Sequence, residues 1–171
     1  MWSSSARASS RRAARWWRRF RGRFAERDGC SMAADEPDVR TLEVRGWLLR
    51  ASEDLRAGRH DLTARPPLCN DVAFHAQQCA EKAMKAFLVY HERPFRKTHN
   101  LTELGGAVAK VEPALSELMR EASLMTEFAW RFRYPGDQAS VSESDAVQSI
   151  ELAARVLEEV QGNLPRTCTP E

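Results

Sequence analysis

The hydrophobic positions of this chain recur mostly at helical spacing. Over residues 70–90 the apolar side chains follow one another three or four positions apart, which predicts a helix with one buried stripe. The stripe consists of Ala73, Phe74, Ala76 or Gln77, Ala80, Ala83, Met84, Phe87 and Leu88. We place this helix at the centre of the fold. Asn70 or Asp71 is its predicted N-cap, because a short side-chain oxygen can accept from the first free N–H groups.

Four further segments show the same periodicity. They predict helices over about residues 41–62, 100–111, 113–132 and 142–164. Pro66 and Pro67 end the first of them, and Ser142 with Asp145 resembles the capping box that starts a helix. No segment shows the clean alternation of a strand. The sequence therefore predicts an all-α fold, an antiparallel bundle of four long helices and one short helix.

The first 40 residues differ from the rest of the chain in composition. Residues 1–25 contain eight arginines and no acidic residue, with tryptophan and phenylalanine interleaved. Three interpretations remain open: a basic arm for nucleic acid, a targeting peptide that lacks the usual apolar segment, or translation from a start upstream of Met32. We expect residues 1–40 to be a disordered or poorly packed extension, 41–165 to be the bundle, and 166–171 to be a frayed tail.

Charge and cysteine usage narrow the class of protein. The whole chain has a formal net charge of +2, but residues 1–40 contain ten of the 26 basic and five of the 24 acidic residues. The predicted bundle is therefore mildly acidic and has no overall basic surface for nucleic acid. The four cysteines have neither metal-ligand nor short disulfide spacing, and no apolar run is long enough for a membrane. These features predict a reduced, cytoplasmic protein without a membrane segment.

A row of polar residues follows one face of the central predicted helix. Gln77, Glu81 and Lys85 are spaced four apart, with Gln78 and Lys82 beside them. One interpretation is a solvated face with ion pairs that stabilise the helix. The other is the wall of a polar cleft, which predicts that Glu81 or Lys85 lies near His99 or Arg131.

Three motifs taken together resemble the HEPN domain (higher eukaryotes and prokaryotes nucleotide-binding). They are FHAQQCAEKAMKAFL, then KTHNLTEL, then a helix that ends in RFRYP. The resemblance covers about residues 42–164 and is more narrowly to stand-alone prokaryotic HEPN proteins encoded beside minimal nucleotidyltransferases. It implies a four- to five-helix bundle, usually dimeric. It also implies a nucleotide- or RNA-binding component of a toxin–antitoxin-like pair with a nucleotidyltransferase. The candidate binding residues are Gln77, Gln78, Glu81, Lys82, Lys85, Lys97, His99, Arg131, Arg133 and Tyr134.

The catalytic motif of the family has no counterpart at the expected place. Catalytic relatives carry Arg-x4–6-His near the start of a late helix, but no histidine follows Arg131 and Arg133. Arg93 and His99 have this spacing in the loop before the third helix, and we interpret them as a coincidence of spacing. His99 and Arg131 remain the only catalytic candidates, so we do not predict an enzyme. The alternatives are a metal-independent endoribonuclease and a non-catalytic dimeric interaction module.

Each candidate residue also has a purely structural interpretation. His99 can exchange a proton near neutral pH or can cap the third helix. Together with Lys97 it can hold a phosphate at the start of that helix, where free N–H groups favour anions. Arg131 and Arg133 can clamp phosphates or pair with Glu81 or Glu127, and Tyr134 can stack on a base or shape the turn.

The other aromatic and imidazole side chains have no predicted role in binding. Trp47 and Trp130 are at core-like spacing, and we interpret both as structural. His60, His75 and His91 lack partners at metal-ligand spacing, so no metal or other cofactor is predicted.

Overall fold

The computed structural model describes residues 38–129 and 140–169. Five α-helices lie in these ranges: α1 (Val39–Asp61), α2 (Cys69–Tyr90), α3 (Leu101–Val111), α4 (Ser116–Ser123) and α5 (Glu143–Gly162). Three short 3₁₀ helices cover Pro113–Leu115, Leu124–Ala129 and Arg166–Cys168. Neither described range contains a β-strand. The predicted all-α bundle is confirmed.

Helix α2 is the central element, as its periodicity predicts. It packs along α5 and also contacts α3 and the 3₁₀ helix at Leu124–Ala129. Its buried positions lie on most of its circumference, which is the pattern of a helix enclosed by its neighbours. Met84, Phe87 and Leu88 are its largest buried apolar side chains. Phe74 was predicted to lie in the same stripe but is only half-buried.

The predicted cap of α2 is wrong. The helix begins at Cys69, and no side chain caps its first turn. The side-chain oxygen of Asn70 instead accepts from the backbone N–H of Val141 at 2.9 Å. This bond joins the start of α2 to the segment before α5, so a tertiary partner has replaced the local one.

The caps of α3 and α5 are made by side chains. Ser142 accepts from the N–H of Asp145 at 3.1 Å, as its sequence predicts. Asn100 caps α3 by accepting from the N–H groups of Thr102 and Glu103. His99 therefore does not cap α3, which leaves its imidazole for other contacts.

The predicted fourth helix is interrupted. Only Ser116–Ser123 is α-helical, and it lies between 3₁₀ helices at Pro113–Leu115 and Leu124–Ala129. The side-chain hydroxyl of Thr126 also donates to the backbone carbonyl of Ser123 at 2.7 Å, a local bond in this 3₁₀ segment. The described ranges thus contain three long and two short α-helices, and the predicted residues 130–132 lie outside them.

The ends of the bundle differ from the prediction. Helix α1 begins at Val39, whereas the predicted start is Thr41. The tail was predicted to fray from residue 166, but Cys168 is buried and Arg45 donates to the carbonyl of Thr167. The predictions for residues 1–37 lie outside the described residues. In the part of the chain that the structure covers, no helix has the length and apolar character of a membrane span.

Candidate functional site

The polar row of α2 is buried. Gln77, Glu81 and Lys85 are 0%, 3% and 7% exposed, so the solvated-face interpretation is wrong. Helix α1 and the loop 91–100 contribute to the cover. The rings of Trp47 and Phe95 lie 5.5 Å and 5.9 Å from the Lys85 ammonium, in the range of cation–π contacts.

Three side chains lie within hydrogen-bond distance of the Glu81 carboxylate. Lys85 Nζ lies 2.7 Å from Oε1, and Gln77 Nε2 donates to Oε2 at 2.9 Å. His99 Nδ1 lies 3.1 Å from both oxygens. We call Gln77, Glu81, Lys85 and His99 the Glu81 cluster. The predicted proximity of Glu81 and His99 is confirmed, whereas Arg131 lies outside the described residues.

The Glu81 cluster keeps its carboxylate ionised. Burial by itself raises the pKa of Glu81, because it removes water from the charged form. The hydrogen bonds from Lys85, Gln77 and His99, with the charge of Lys85, outweigh burial and hold the pKa below its ordinary 4.5. A buried negative charge therefore exists at neutral pH and is compensated within the cluster.

The ionised carboxylate fixes the orientation of His99. A carboxylate only accepts hydrogen bonds, so the Nδ1 atom beside it carries the proton. The His99 side chain is nevertheless 73% exposed, against 4% for Glu81. No hydrogen bond to Nε2 of His99 is found within residues 38–129 and 140–169. In the neutral ring this nitrogen has a lone pair, and in the protonated ring it is a second donor.

A second set of polar side chains joins the Glu81 cluster to α1. Lys82 Nζ donates to Asp54 at 2.5 Å and to Oε1 of Gln78 at 3.0 Å. Gln78 Nε2 donates in turn to Oε1 of Gln77 at 2.7 Å. Sequence reasoning missed Asp54 because it lies on another helix, and no motif marks it.

Asp54 also contacts an imidazole. Nδ1 of His75 lies 3.1 Å from Oδ1 of Asp54, and Nε2 of the same ring lies 3.9 Å from Oδ2 of Asp61. Among the described residues no group of three histidine, cysteine or acidic side chains is arranged to hold a metal ion.

The first turn of α3 offers no open anion site. The N–H of Leu101 donates to the hydroxyl of Thr126, and Asn100 accepts from the next two N–H groups. These N–H groups are therefore not free to favour an anion, whereas the predicted hold of Lys97 and His99 on a phosphate stays a prediction. A phosphate beside His99 would have to be held by side chains, of which Lys97 is exposed.

Two further arginines of the loop can be placed. Arg96 pairs with Glu103 through two hydrogen bonds of 2.9 Å and 2.6 Å, so its charge is partly neutralised. Arg93 is exposed. The predicted site residues Arg131, Arg133 and Tyr134, and also Trp130, lie outside the described residues.

The thiol of Cys79 lies on α2 near the Asp54–Lys82 pair. Burial, followed by the charge of Asp54, raises its pKa to about 12, against the smaller effects of Lys82 and Arg59. Its Sγ lies 3.8 Å from the carbonyl of Ala153. The thiol therefore stays protonated at neutral pH and is a core group rather than a nucleophile.

A cavity of about 450 Å³ lies away from the Glu81 cluster. Its walls include Met125, Phe128, Val141 and Leu152, and Asp145 also lines it. It shares no residue with the Glu81 cluster. Among residues 38–129 and 140–169, its mainly apolar lining includes no basic side chain of the kind that binds a phosphate, so we favour the polar site for an anionic ligand.

Comparisons with a protein family and with a solved structure identify the same helical domain. A family model of the HEPN domain matches residues 44–163. The crystal structure of an archaeal HEPN homologue is similar, with a TM-score of 0.55 and 26% sequence identity over 70% of this chain and 96% of that chain. Comparison with curated proteins gives no match. The matched range contains α2, the loop 91–100 and the Glu81 cluster.

Proposed function

The chain belongs to the HEPN family, and from this premise we propose that it binds a nucleotide or RNA through the face that presents His99. One observation carries the proposal. Glu81 holds the His99 imidazole at 3.1 Å while most of that side chain stays exposed. An exposed ring that is fixed by a buried charge costs little further ordering when a ligand arrives.

Five of the candidate residues divide into two groups, while Gln78 and Lys82 bond to each other beside the Glu81 cluster. Gln77, Glu81 and Lys85 are buried and bond to one another, so we assign them the role of holding His99 in place. Lys97 and His99 are exposed, and we assign them direct contact with the ligand. Contact roles for Arg131, Arg133 and Tyr134 remain predictions.

The chemistry of His99 suits a phosphate. When its ring is protonated, Nε2–H donates a charge-assisted hydrogen bond to a phosphate oxygen, while Glu81 stabilises the cation through Nδ1. Lys97 adds a positive charge two residues away in the chain. A few such contacts on an exposed surface correspond to an affinity in the micromolar to millimolar range.

Titration calorimetry with ATP and with a short single-stranded RNA tests the proposal. The unaltered protein should bind at least one ligand at high micromolar concentration, and His99→Ala should weaken that binding by about tenfold or more, the loss of one charged hydrogen bond. His60→Ala is the matched control, because His60 is also exposed but lies on α1. If the unaltered protein binds neither ligand, the proposed function is wrong.

The partner of this protein is part of the same proposal. HEPN domains commonly dimerise, and we propose a homodimer that pairs with a nucleotidyltransferase as a toxin–antitoxin-like module in the cytoplasm. Support comes from the resemblance to stand-alone prokaryotic HEPN proteins. Light scattering tests the dimer. Co-purification with a nucleotidyltransferase encoded beside this gene tests the pair, and a monomer that does not bind that enzyme would contradict it.

A second candidate function is metal-independent RNA cleavage, which the Glu81–His99 contact favours. A neutral His99 could accept the proton of a ribose 2′-hydroxyl through Nε2. That oxygen would attack the adjacent phosphorus and break its bond to the 5′-oxygen, which takes a proton from water. RNA incubated with the protein and EDTA is the test. Cleavage that is lost in His99→Ala would make the protein a ribonuclease, and uncleaved RNA would leave binding alone.

A further inference from the structure

We infer that Lys82, held by Asp54 of α1, is a positioning residue that orients the Glu81 cluster through the side-chain amides of Gln78 and Gln77. The connection is continuous. Lys82 donates to Gln78 at 3.0 Å, Gln78 to Gln77 at 2.7 Å, and Gln77 to Glu81 at 2.9 Å. We call these three bonds the amide chain.

The charges at its two ends fix the direction of the amide chain. An ammonium group can only donate hydrogen bonds and a carboxylate can only accept them, whereas each amide has one oxygen and one NH₂ group. With Lys82 at one end, the Gln78 oxygen must face it and the Gln78 NH₂ must face Gln77. The same constraint turns the Gln77 NH₂ toward Glu81. A flip of either amide would bring two donors together at one of its contacts and two acceptors together at the other.

The oriented amide of Gln77 serves two targets. Its Nε2 donates to Glu81 at 2.9 Å and also to the backbone carbonyl of His99 at 3.2 Å. It therefore holds both the carboxylate that bonds the His99 ring and the backbone that carries that ring. Because the amide is completely buried, a wrong orientation would leave its polar atoms without water as an alternative partner.

Asp54 holds Lys82 in place at the end of the amide chain that lies away from Glu81. Its Oδ2 accepts from Lys82 at 2.5 Å, and its Oδ1 lies 3.1 Å from Nδ1 of His75. Lys82 and Asp54 are 20% and 16% exposed, so their pair is largely shielded from water. Helix α1 thus determines the position of Lys82, and the amide chain relays that position to the loop 91–100.

This inference deepens the proposed function of the His99 face, but its test needs no ligand. The carboxyl carbon of Glu81 can be followed by NMR through an acid titration, together with the side-chain NH₂ signals of Gln77. Gln78→Glu keeps an acceptor for Lys82 but cannot donate to Gln77. Lys82→Met removes the charged end of the amide chain, and exposed Lys110→Met is the matched control.

We expect the Glu81 titration midpoint to rise in Gln78→Glu and Lys82→Met, because the hydrogen bond from Gln77 is weakened and because each change also makes the charge near Glu81 more negative. The Gln77 NH₂ signals should move in both variants. Lys82→Arg, which donates as lysine does, should restore the unaltered midpoint, and Lys110→Met should not change it. An unchanged midpoint with unchanged Gln77 signals in Gln78→Glu would overturn the inference, whether or not the protein binds a nucleotide.

Discussion

Glu81 and His99 meet across the boundary between the core and solvent. Nδ1 of His99 lies 3.1 Å from both Glu81 oxygens, yet the histidine side chain is 73% exposed and the glutamate 4%. A charge inside the bundle therefore has one partner that a ligand can reach. Lys85 and Gln77 supply the other hydrogen bonds, and both are buried. This arrangement makes the stability of the bundle and the orientation of His99 depend on the same carboxylate.

Removal of the buried ammonium should destabilise the fold strongly. Lys85→Met keeps much of the side-chain volume but leaves the Glu81 charge without its closest partner. We expect the free energy of unfolding to fall by about 3 kcal/mol, the cost of breaking a buried pair. Urea unfolding of both proteins measures it. Lys110→Met, at an exposed position, should change it by less than about 0.5 kcal/mol, and equal effects of the two changes would contradict the account.

The lowered pKa of Glu81 predicts the direction of a pH effect. A carboxyl group whose folded pKa lies below its unfolded value adds stability above the unfolded value and loses it as the pH falls through the folded one. The difference in unfolding free energy between the unaltered protein and Glu81→Gln should therefore be largest at neutral pH and shrink below the ordinary pKa of 4.5. Unfolding curves at a series of pH values check this. A difference that is constant down to strongly acidic pH would contradict it.

Periodicity alone located α1, α2, α3 and α5, because each buries a stripe whose spacing is visible in the sequence. Periodicity could not decide whether the side chains of Gln77, Glu81 and Lys85 are exposed to solvent or buried. That outcome depends on Trp47 and Phe95, which come from α1 and from the loop 91–100. The KTHNL motif gave the one hint, since it placed His99 in the company of the polar row. The resemblance to the HEPN family indicated that His99 lies near these polar residues, whereas the helical spacing of the residues did not.

Bonds between distant residues were invisible to the sequence. Asp54 and Lys82 are 28 positions apart and lie on different helices, so no local pattern joins them. Asn70 looked like a helix cap, but it bonds to Val141, which is 71 positions away. In each case a tertiary partner competes with the local one, and only the packing of the helices decides the outcome. Ser142 kept its predicted cap because its partner Asp145 is three residues away.

The two adjacent glycines of α3 should respond oppositely to alanine. A Cβ at Gly105 would lie 3.0 Å from Met119 Cβ and 3.3 Å from the Met119 carbonyl oxygen, whereas one at Gly106 would have nothing within 4 Å. Gly105→Ala should lower the free energy of unfolding by about 1–3 kcal/mol through overpacking. Gly106→Ala should raise it by about 0.5–1 kcal/mol through helix propensity. Thermal or urea unfolding separates the two, and equal effects would contradict the close approach of α3 and α4.

Glycine in place of Glu92, two residues after the end of α2, should stabilise the protein. Glu92 has a φ of 54°, and the N–H groups of Glu92 and Arg93 bond back to the carbonyls of Val89 and Leu88. This is the Schellman arrangement, in which glycine is favoured at the left-handed position. Glu92→Gly should raise the free energy of unfolding by about 0.5–1 kcal/mol, because the strain of the side chain exceeds the entropy that glycine adds to the unfolded chain.

Glu92→Ala is the control for that change. It removes the exposed ion pair with Arg40, at 3.4 Å, but keeps a Cβ in the left-handed conformation. We expect no gain in stability from it, since exposed pairs contribute little. A gain of the same size from alanine and glycine would show that charge, rather than backbone conformation, sets the effect.

The most direct test of the central claim is to map where a nucleotide binds. Backbone and side-chain NMR shifts of the unaltered protein are recorded as ATP is added, with inorganic phosphate as a second titrant. We predict the largest changes at His99 and Lys97, with smaller ones at Gln77 and Glu81 behind them. Changes centred on the apolar cavity at Met125 and Leu152, with His99 unmoved, would contradict the account.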